Sequence, residues 1–102
     1  MTLRVLYDPT ARAEADEAHD LYEAERPGLG QRFQRALADA EQLANSQPGA
    51  GSPLAGGRRR VIIDGFPYSL VYRVDAQRGA VLVVAIAHHK RRPGYWRARR
   101  GE

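Results

Sequence analysis

The stretch from residue 80 to residue 87, Ala-Val-Leu-Val-Val-Ala-Ile-Ala, is the longest uninterrupted apolar run of the chain. A β-strand places alternate side chains on opposite faces, so a wholly apolar strand has to be covered on both sides. The run is far shorter than the ~18 to 20 residues that a membrane-spanning helix needs. It therefore predicts the central strand of a sheet, and the other elements have to be arranged around it.

The segments on the N-terminal side of this run also have the period of strands. Residues 58–63 read as one strand, and Asp64-Gly65 after them predicts a two-residue hairpin turn. Residues 66–74 alternate, with Tyr68, Leu70, Tyr72 and Val74 on one predicted face and Ser69, Val71 and Arg73 on the other. Pro67 cannot donate a ladder hydrogen bond and is expected at the strand start or at an edge.

The first half of the chain has a different period. After a short predicted strand at residues 3–7, Asp8-Pro9 indicates a helix start, with Asp8 as N-cap. Four apolar residues then follow at helical spacing: Ala11, Ala15, Ala18 and Tyr22. The helix is expected to end near Arg26, where Pro27-Gly28 stops it.

A second helix is expected to begin after Gly30 and to run to about Ser46. Its apolar face consists of Phe33, Leu37, Ala40 and Ala44. Two helices joined by so short a link favour an antiparallel αα-hairpin. Residues 47–57 are rich in Gly and Pro and predict a loop.

These elements follow one another in the order β-α-α-β-β-β. We predict a single α+β domain over residues 1–102, in which an αα-hairpin packs on an antiparallel sheet of about four strands and a short basic segment ends the chain. The chain contains no cysteine, which excludes disulfides and thiolate metal sites. The N-terminal residues lack the apolar core of a signal peptide, and no segment predicts membrane insertion, so we expect a cytoplasmic protein.

The net charge of +4 conceals a division between the two halves of the chain. Residues 1–57 carry five arginines and nine acids, which gives −4, and residues 58–102 carry eleven Lys or Arg and three acids, which gives +8. A basic half of this kind favours a polyanion or an acidic protein as partner.

The basic charge is densest directly after the central strand, where aromatic residues are interleaved with it. Arginines hold phosphates and aromatic rings stack on bases, so this composition indicates a target-binding surface. The candidate residues are Arg58, Arg60, Arg73, His88, His89, Lys90, Arg91, Arg92, Tyr95, Trp96 and Arg97. Two structural interpretations stay open: Tyr95 and Trp96 fold back to cover an exposed sheet face, and the arginines at 58–60 protect an edge strand.

His88 and His89 follow an apolar strand, so their side chains are expected to point in opposite directions, one of them into a groove beside Arg73. A neutral imidazole there could act as general base on a ribose hydroxyl. The other interpretation is that one histidine only satisfies a backbone group. Adjacent histidines at a strand end rarely ligate one ion, and we predict neither a metal site nor a cofactor.

Five segments of the chain, in their order and spacing, resemble the RelE/ParE family of type II toxin–antitoxin toxins over nearly the whole chain. These segments are 9–15, 27–33, 48–49, 66–74 and 87–96. The resemblance implies a bacterial toxin that a co-expressed antitoxin protein holds inactive in a hetero-oligomer. It also implies roles in growth inhibition and plasmid stabilization.

The family divides by target. RelE-like members are metal-independent ribonucleases that cut mRNA on the ribosome, whereas ParE-like members inhibit DNA gyrase. The nuclease members carry an arginine directly before the Leu-Val-Tyr of the third strand, and Ser69 stands at that position here. We therefore expect a ParE-like gyrase inhibitor.

Two alternatives to the gyrase inhibitor remain open. The first is a RelE-like ribonuclease, in which Arg73, His88, Arg91 and Tyr95 would supply the catalytic groups. The second is a non-catalytic remnant of a decayed system that binds only an antitoxin or a nucleic acid. Whether the protein is an enzyme depends on which of these descriptions is right.

Overall fold

The computed structural model describes residues 3–100 of the chain. Within these residues there are two helices, five strands and one 3-10 turn at Ala55–Gly57. In chain order they are β1 (Arg4–Tyr7), α1 (Pro9–Glu25), α2 (Leu29–Ser46), β2 (Ser52–Leu54), β3 (Arg58–Ile62), β4 (Tyr68–Asp75) and β5 (Ala80–His88). Over residues 3–100, neither helix combines the length and the apolar character that crossing a membrane requires.

The five strands form one sheet in the order β1-β5-β4-β3-β2. β5 lies between β1 and β4, and its residues from Ala80 to Ala87 are all buried, as predicted for the central strand. β1 pairs with β5 in parallel, and the other pairs are antiparallel. The predicted α+β layout is confirmed. The sheet contains one parallel pair, since β1 pairs with the free edge of β5, the most apolar strand of the β3-β4-β5 meander.

β2 is one strand more than the number predicted. It lies inside residues 47–57, which were expected to be a loop, and it pairs with β3 over only three residues. The turn after β3 is centred on Asp64-Gly65, as predicted, since the Phe66 N–H donates to the Ile63 carbonyl at 3.1 Å. The connection is longer than the predicted two residues, because residues 63–67 separate β3 from β4.

The helix starts follow the chemistry of their capping residues. Asp8 is the N-cap of α1, as predicted, and its Oδ1 accepts a hydrogen bond from the Thr10 N–H at 2.8 Å. α2 begins at Leu29, slightly earlier than expected, because the Glu23 carboxylate accepts hydrogen bonds from the Gly28 and Gly30 N–H groups. A carboxylate at this position also stabilises the helix dipole.

The core between the helices and the sheet contains the residues that the two periodicities predict. Ala11, Ala15 and Ala18 of α1 meet the apolar face of α2 and the sheet. In β4, Leu70 and Tyr72 belong to this core, whereas Val71 lies in a second cluster, so the predicted faces are confirmed. Four rings at one end contact one another: Tyr22, Phe33, Phe66 and Tyr68.

β5 contains a bulge at Val84, opposite Val71 and Tyr72 of β4. Val71 lies opposite Ala85, but its neighbour Tyr72 lies opposite Val83, so Val84 is an extra residue in β5. The bulge places Val84 and Ala85 in the same cluster on the sheet face away from the helices.

Tyr72 connects the core to the loop before β2. Its ring is fully buried, its hydroxyl donates to the Pro48 carbonyl at 2.7 Å, and the same hydroxyl accepts from the Gly51 N–H at 3.2 Å. One buried phenol thus orders a loop whose own sequence carries no regular pattern.

We expect Tyr72→Phe to lower the free energy of unfolding by about 1 to 3 kcal/mol, because it leaves two backbone groups without their partner. Urea denaturation followed by circular dichroism measures this change. Tyr22→Phe is the control, because the Tyr22 hydroxyl has no hydrogen bond within residues 3–100. An equal loss of stability in the two variants would contradict this role for the Tyr72 hydroxyl.

Candidate functional site

Residues 89–100, which we call the C-terminal strap, lie across the sheet face away from the helices. The strap is held in successive turns, in which the N–H groups of Arg91, Tyr95, Arg97 and Arg99 each donate to the carbonyl three residues earlier. Tyr95 and Trp96 pack on a second apolar cluster that consists of Val71, Val84, Ala85 and Ala87. The interpretation in which these two aromatic residues cover the sheet therefore describes their position.

The Glu14 carboxylate joins α1, β5 and the strap. Oε2 accepts hydrogen bonds from Arg91 Nη1 at 3.1 Å, from the Tyr95 hydroxyl at 2.7 Å and from Arg99 Nη2 at 3.2 Å. Oε1 accepts from Arg99 Nη1 at 2.8 Å and from the Ile86 N–H at 3.1 Å. The Glu14 side chain is only 12% exposed, so its bonds to Tyr95, Arg99 and Ile86 are partly shielded from water, whereas the Arg91 side chain is 53% exposed.

Arg99 completes this arrangement at the bulge. Its Nη1 also donates to the Val84 carbonyl at 3.1 Å. β1 pairs with β5 only as far as Val83, so the edge of β5 beyond that point has no strand on this side. The Glu14–Arg99 pair takes that place and supplies an acceptor for Ile86 and a donor for Val84.

Sequence reasoning missed both Glu14 and Arg99 as members of the site. One signal for Glu14 was present: it follows Ala11 by three residues and precedes Ala18 by four, so it lies within the alanine stripe of α1. An acid at a core-facing position needs a buried partner. Nothing in the sequence identified Arg99 as that partner.

Tyr95 is held as a hydrogen-bond donor. Burial raises the pKa of its phenol above the ordinary value, and the hydrogen bond to Glu14 raises it further. The Arg91 guanidinium lies 3.6 Å from the ring centroid and opposes this effect only in part. The phenol therefore remains protonated at neutral pH and cannot act there as a proton acceptor.

Two more of the predicted target-binding arginines hold the end of the strap. Arg58 Nη2 donates to the carbonyls of Arg97 at 2.9 Å and Arg99 at 3.2 Å. Arg73 donates to the Arg100 carbonyl from Nε at 3.1 Å and from Nη2 at 2.6 Å. Both guanidinium groups are thus engaged in hydrogen bonds to other residues of the same chain.

The remaining predicted cations point to solvent. Among residues 3–100, four of them have exposed side chains that make no hydrogen bond or ion pair: Arg60, Lys90, Arg92 and Arg97. We call these four residues the free cations. Arg60 and Arg97 border a cleft of about 140 Å³ that Trp96 also lines.

The two histidines point in opposite directions, as predicted. His88 contacts the Tyr68 ring edge-on at 4.9 Å between centroids, beside α1. His89 lies on the other face, where its Nε2 is 2.9 Å from the Ser69 hydroxyl. Neither lies beside Arg73, so that part of the expectation is wrong.

The four groups named for a ribonuclease are not brought together. His88 is opposite Tyr68 at one end of β4, whereas Arg73 is opposite Leu82, five residues further along. Five residues of a strand span about 17 Å. Arg91 lines the same pocket as His88, but both Arg91 and Tyr95 bind Glu14. In the described range 3–100, no three His, Asp or Glu side chains are grouped so that they could hold a metal ion.

Two arginines of β3 have different roles, because Arg58 binds the strap and Arg60 faces solvent. We expect Arg58→Ala to lower the free energy of unfolding by about 1 to 2 kcal/mol, since two strap carbonyls lose their donor. Arg60→Ala should change it by less than about 0.5 kcal/mol. Urea denaturation monitored by the single Trp96 measures both. Equal effects of the two substitutions would show that Arg58 does not hold the strap.

The family model for the ParE toxin of type II toxin-antitoxin system, parDE, matches residues 5–93. A solved structure described as the chromosomal ParDE TA system from P. aeruginosa has a chain with a TM-score of 0.72 and 19% sequence identity. The match covers 85% of the present chain and 96% of that chain, and at this identity it shows the fold.

No curated protein matches the sequence. The family match nevertheless runs from within β1 into the C-terminal strap and therefore includes both helices, most of β1 and the other four strands. The protein belongs to the ParE toxin family of type II toxin–antitoxin systems.

Proposed function

We propose that this protein arrests bacterial growth by inhibiting DNA gyrase in the cytoplasm, and that a cognate antitoxin neutralises it. The choice of gyrase over mRNA as the target rests on which residue stands at the β4 position where nuclease members of the family carry an arginine. Ser69 stands where the nuclease resemblance requires an arginine, and its hydroxyl is engaged with His89. The side chain at that point of β4 is therefore a hydroxyl and not the cation that stabilises a phosphorane.

Three of the four groups named for a ribonuclease are also engaged in contacts within the molecule. Arg73 binds a strap carbonyl at the far end of β4. Tyr95 is a hydrogen-bond donor to Glu14, and Arg91 is paired with the same carboxylate. Phosphoryl-transfer chemistry requires groups that converge on one phosphate, so this arrangement favours a toxin that acts by binding.

The free cations are the surface best suited to contact the target. They carry four positive charges with no internal partner within residues 3–100, and Trp96 lines a cleft together with two of them, Arg60 and Arg97. Exposed charge of one sign accelerates association with an oppositely charged partner and orients it. We assign gyrase recognition to this surface.

A supercoiling assay with purified gyrase tests this assignment. We expect the triple variant Lys90→Ala/Arg92→Ala/Arg97→Ala to need at least tenfold more protein for the same inhibition, because it loses three steering and contact charges. Wild-type protein expressed without antitoxin should also cause cleaved DNA to accumulate and induce the SOS response.

The matched control is Arg26→Ala/Arg32→Ala/Arg35→Ala, which removes the same charge from exposed positions at α1 and α2. It should inhibit gyrase like the wild type. Equal losses in both triple variants would mean that only net charge matters. Intact DNA together with new mRNA 5′ ends that disappear in His88→Ala would instead identify a ribonuclease.

The antitoxin contact has an electrostatic basis as well. Residues 58–102 carry +8, and an acidic, partly disordered segment can fold onto such a surface. We therefore propose a hetero-oligomer with an acidic antitoxin segment.

We expect the affinity of this complex to fall by about tenfold or more between 0.1 M and 0.5 M NaCl, because salt screens the charges that attract the two chains. Isothermal titration calorimetry with the protein encoded by the adjacent gene measures the constants. An affinity that does not change with salt would refute an electrostatic main contribution.

A further inference from the structure

One carboxylate determines how the C-terminal strap is placed on the sheet. We propose that Glu14 is the positioning residue of this toxin: it holds the strap in the arrangement in which the free cations meet the target. The proposal rests on the proposed function, since it concerns the same surface. Glu14 touches no target in this scheme and acts only through the strap.

Between its two ends the strap has few other attachments, because it contains turns but no helix or strand and the apolar cluster beneath Tyr95 and Trp96 is small. At its start, the His89 N–H donates to the Pro67 carbonyl at 2.9 Å, and His89 Nε2 is 2.9 Å from the Ser69 hydroxyl. Arg58 and Arg73 bind backbone carbonyls at its far end only, from residue 97 to residue 100. Within residues 3–100, Glu14 is the side chain that binds three separate strap side chains, through Arg91, Tyr95 and Arg99.

Along the strap, the free cations alternate with the residues whose side chains Glu14 binds. Lys90 and Arg92 flank Arg91, and Arg97 lies between Tyr95 and Arg99. Each free cation of the strap is therefore within two residues of a side chain that Glu14 holds. Fixing the three tied side chains fixes the backbone from which the free cations project.

The negative charge of Glu14 explains why apolar packing cannot replace its contact with the strap. Arg91 and Arg99 share one carboxylate that is 12% exposed. Without that charge, the largely buried Arg99 side chain would lose its carboxylate partner while the half-exposed Arg91 guanidinium remained nearby, and like charges repel. The strap would move toward solvent and carry the free cations with it.

The test uses Glu14→Gln, which keeps the shape of the side chain and removes its charge. Two spectroscopic readouts report on the strap. The Ile86 amide, which donates to Glu14, should exchange with solvent at least tenfold faster, and the emission of Trp96, the single tryptophan, should shift to longer wavelength. Glu17→Gln is the charge-matched control, since Glu17 makes no hydrogen bond or ion pair within residues 3–100.

Gyrase inhibition by Glu14→Gln should be at least tenfold weaker than that of wild type and Glu17→Gln. Arg99→Ala, which breaks the same contact from the strap, should reproduce both the spectroscopic change and the loss. Ala44→Gly in α2 lowers global stability away from the strap. It should inhibit normally at temperatures where both proteins are folded, which separates positioning from stability.

Full inhibition by Glu14→Gln, with the strap released or with it still docked, would overturn the proposal. If the wild type arrests growth without inhibiting gyrase, the gyrase assignment fails, and growth arrest becomes the readout in which Glu14→Gln must be weaker than Glu17→Gln. If the wild type causes no growth arrest either, both proposals fail. If Glu14→Gln is weak while Arg99→Ala acts like wild type, Glu14 does not act through the strap.

Discussion

The edge of β5 beyond β1 is the constraint on which the rest of the structure depends. β1 pairs with only the first four residues of β5. Past that point the Ile86 N–H donates to Glu14, and the Val84 carbonyl accepts from Arg99. An ion pair therefore satisfies backbone groups that a neighbouring strand would otherwise bind. Unpaired edges promote association with other chains, and burying two charges costs desolvation energy. Hydrogen bonds to both members of the pair offset that cost.

Most of the fold could be predicted because each main element has a clear period. The alanines of α1 and the apolar run of β5 specify which faces are buried, and the structure buries them. β2 could not be found, since three residues that include Pro53 carry no alternation and become a strand only by pairing with β3. The parallel pairing of β1 was equally hidden, because it depends on where the helical hairpin returns the chain and not on a local pattern.

Much less of the candidate site could be predicted, and arginine shows why. Arg58 and Arg60 are close neighbours of one type, yet the first binds strap carbonyls and the second faces solvent. What separates them is the position of carbonyls about forty residues away in the chain, which no local pattern encodes. Glu14 was recognisable only as an acid on an apolar stripe. Its partner Arg99 lies in a run of arginines with no period at all.

The link between sheet and strap also determines what the basic surface can do. Because Glu14 bonds to Ile86 and to the strap together, opening the strap would uncover the apolar cluster and expose the β5 edge in one step. The two losses add, so the strap and the sheet behave as one unit. Cations on such a unit keep fixed mutual positions and lose less conformational entropy on binding than the same charges on a flexible tail. Glu14, which belongs to the acidic half of the chain, thus holds the free cations of the basic half in one defined surface.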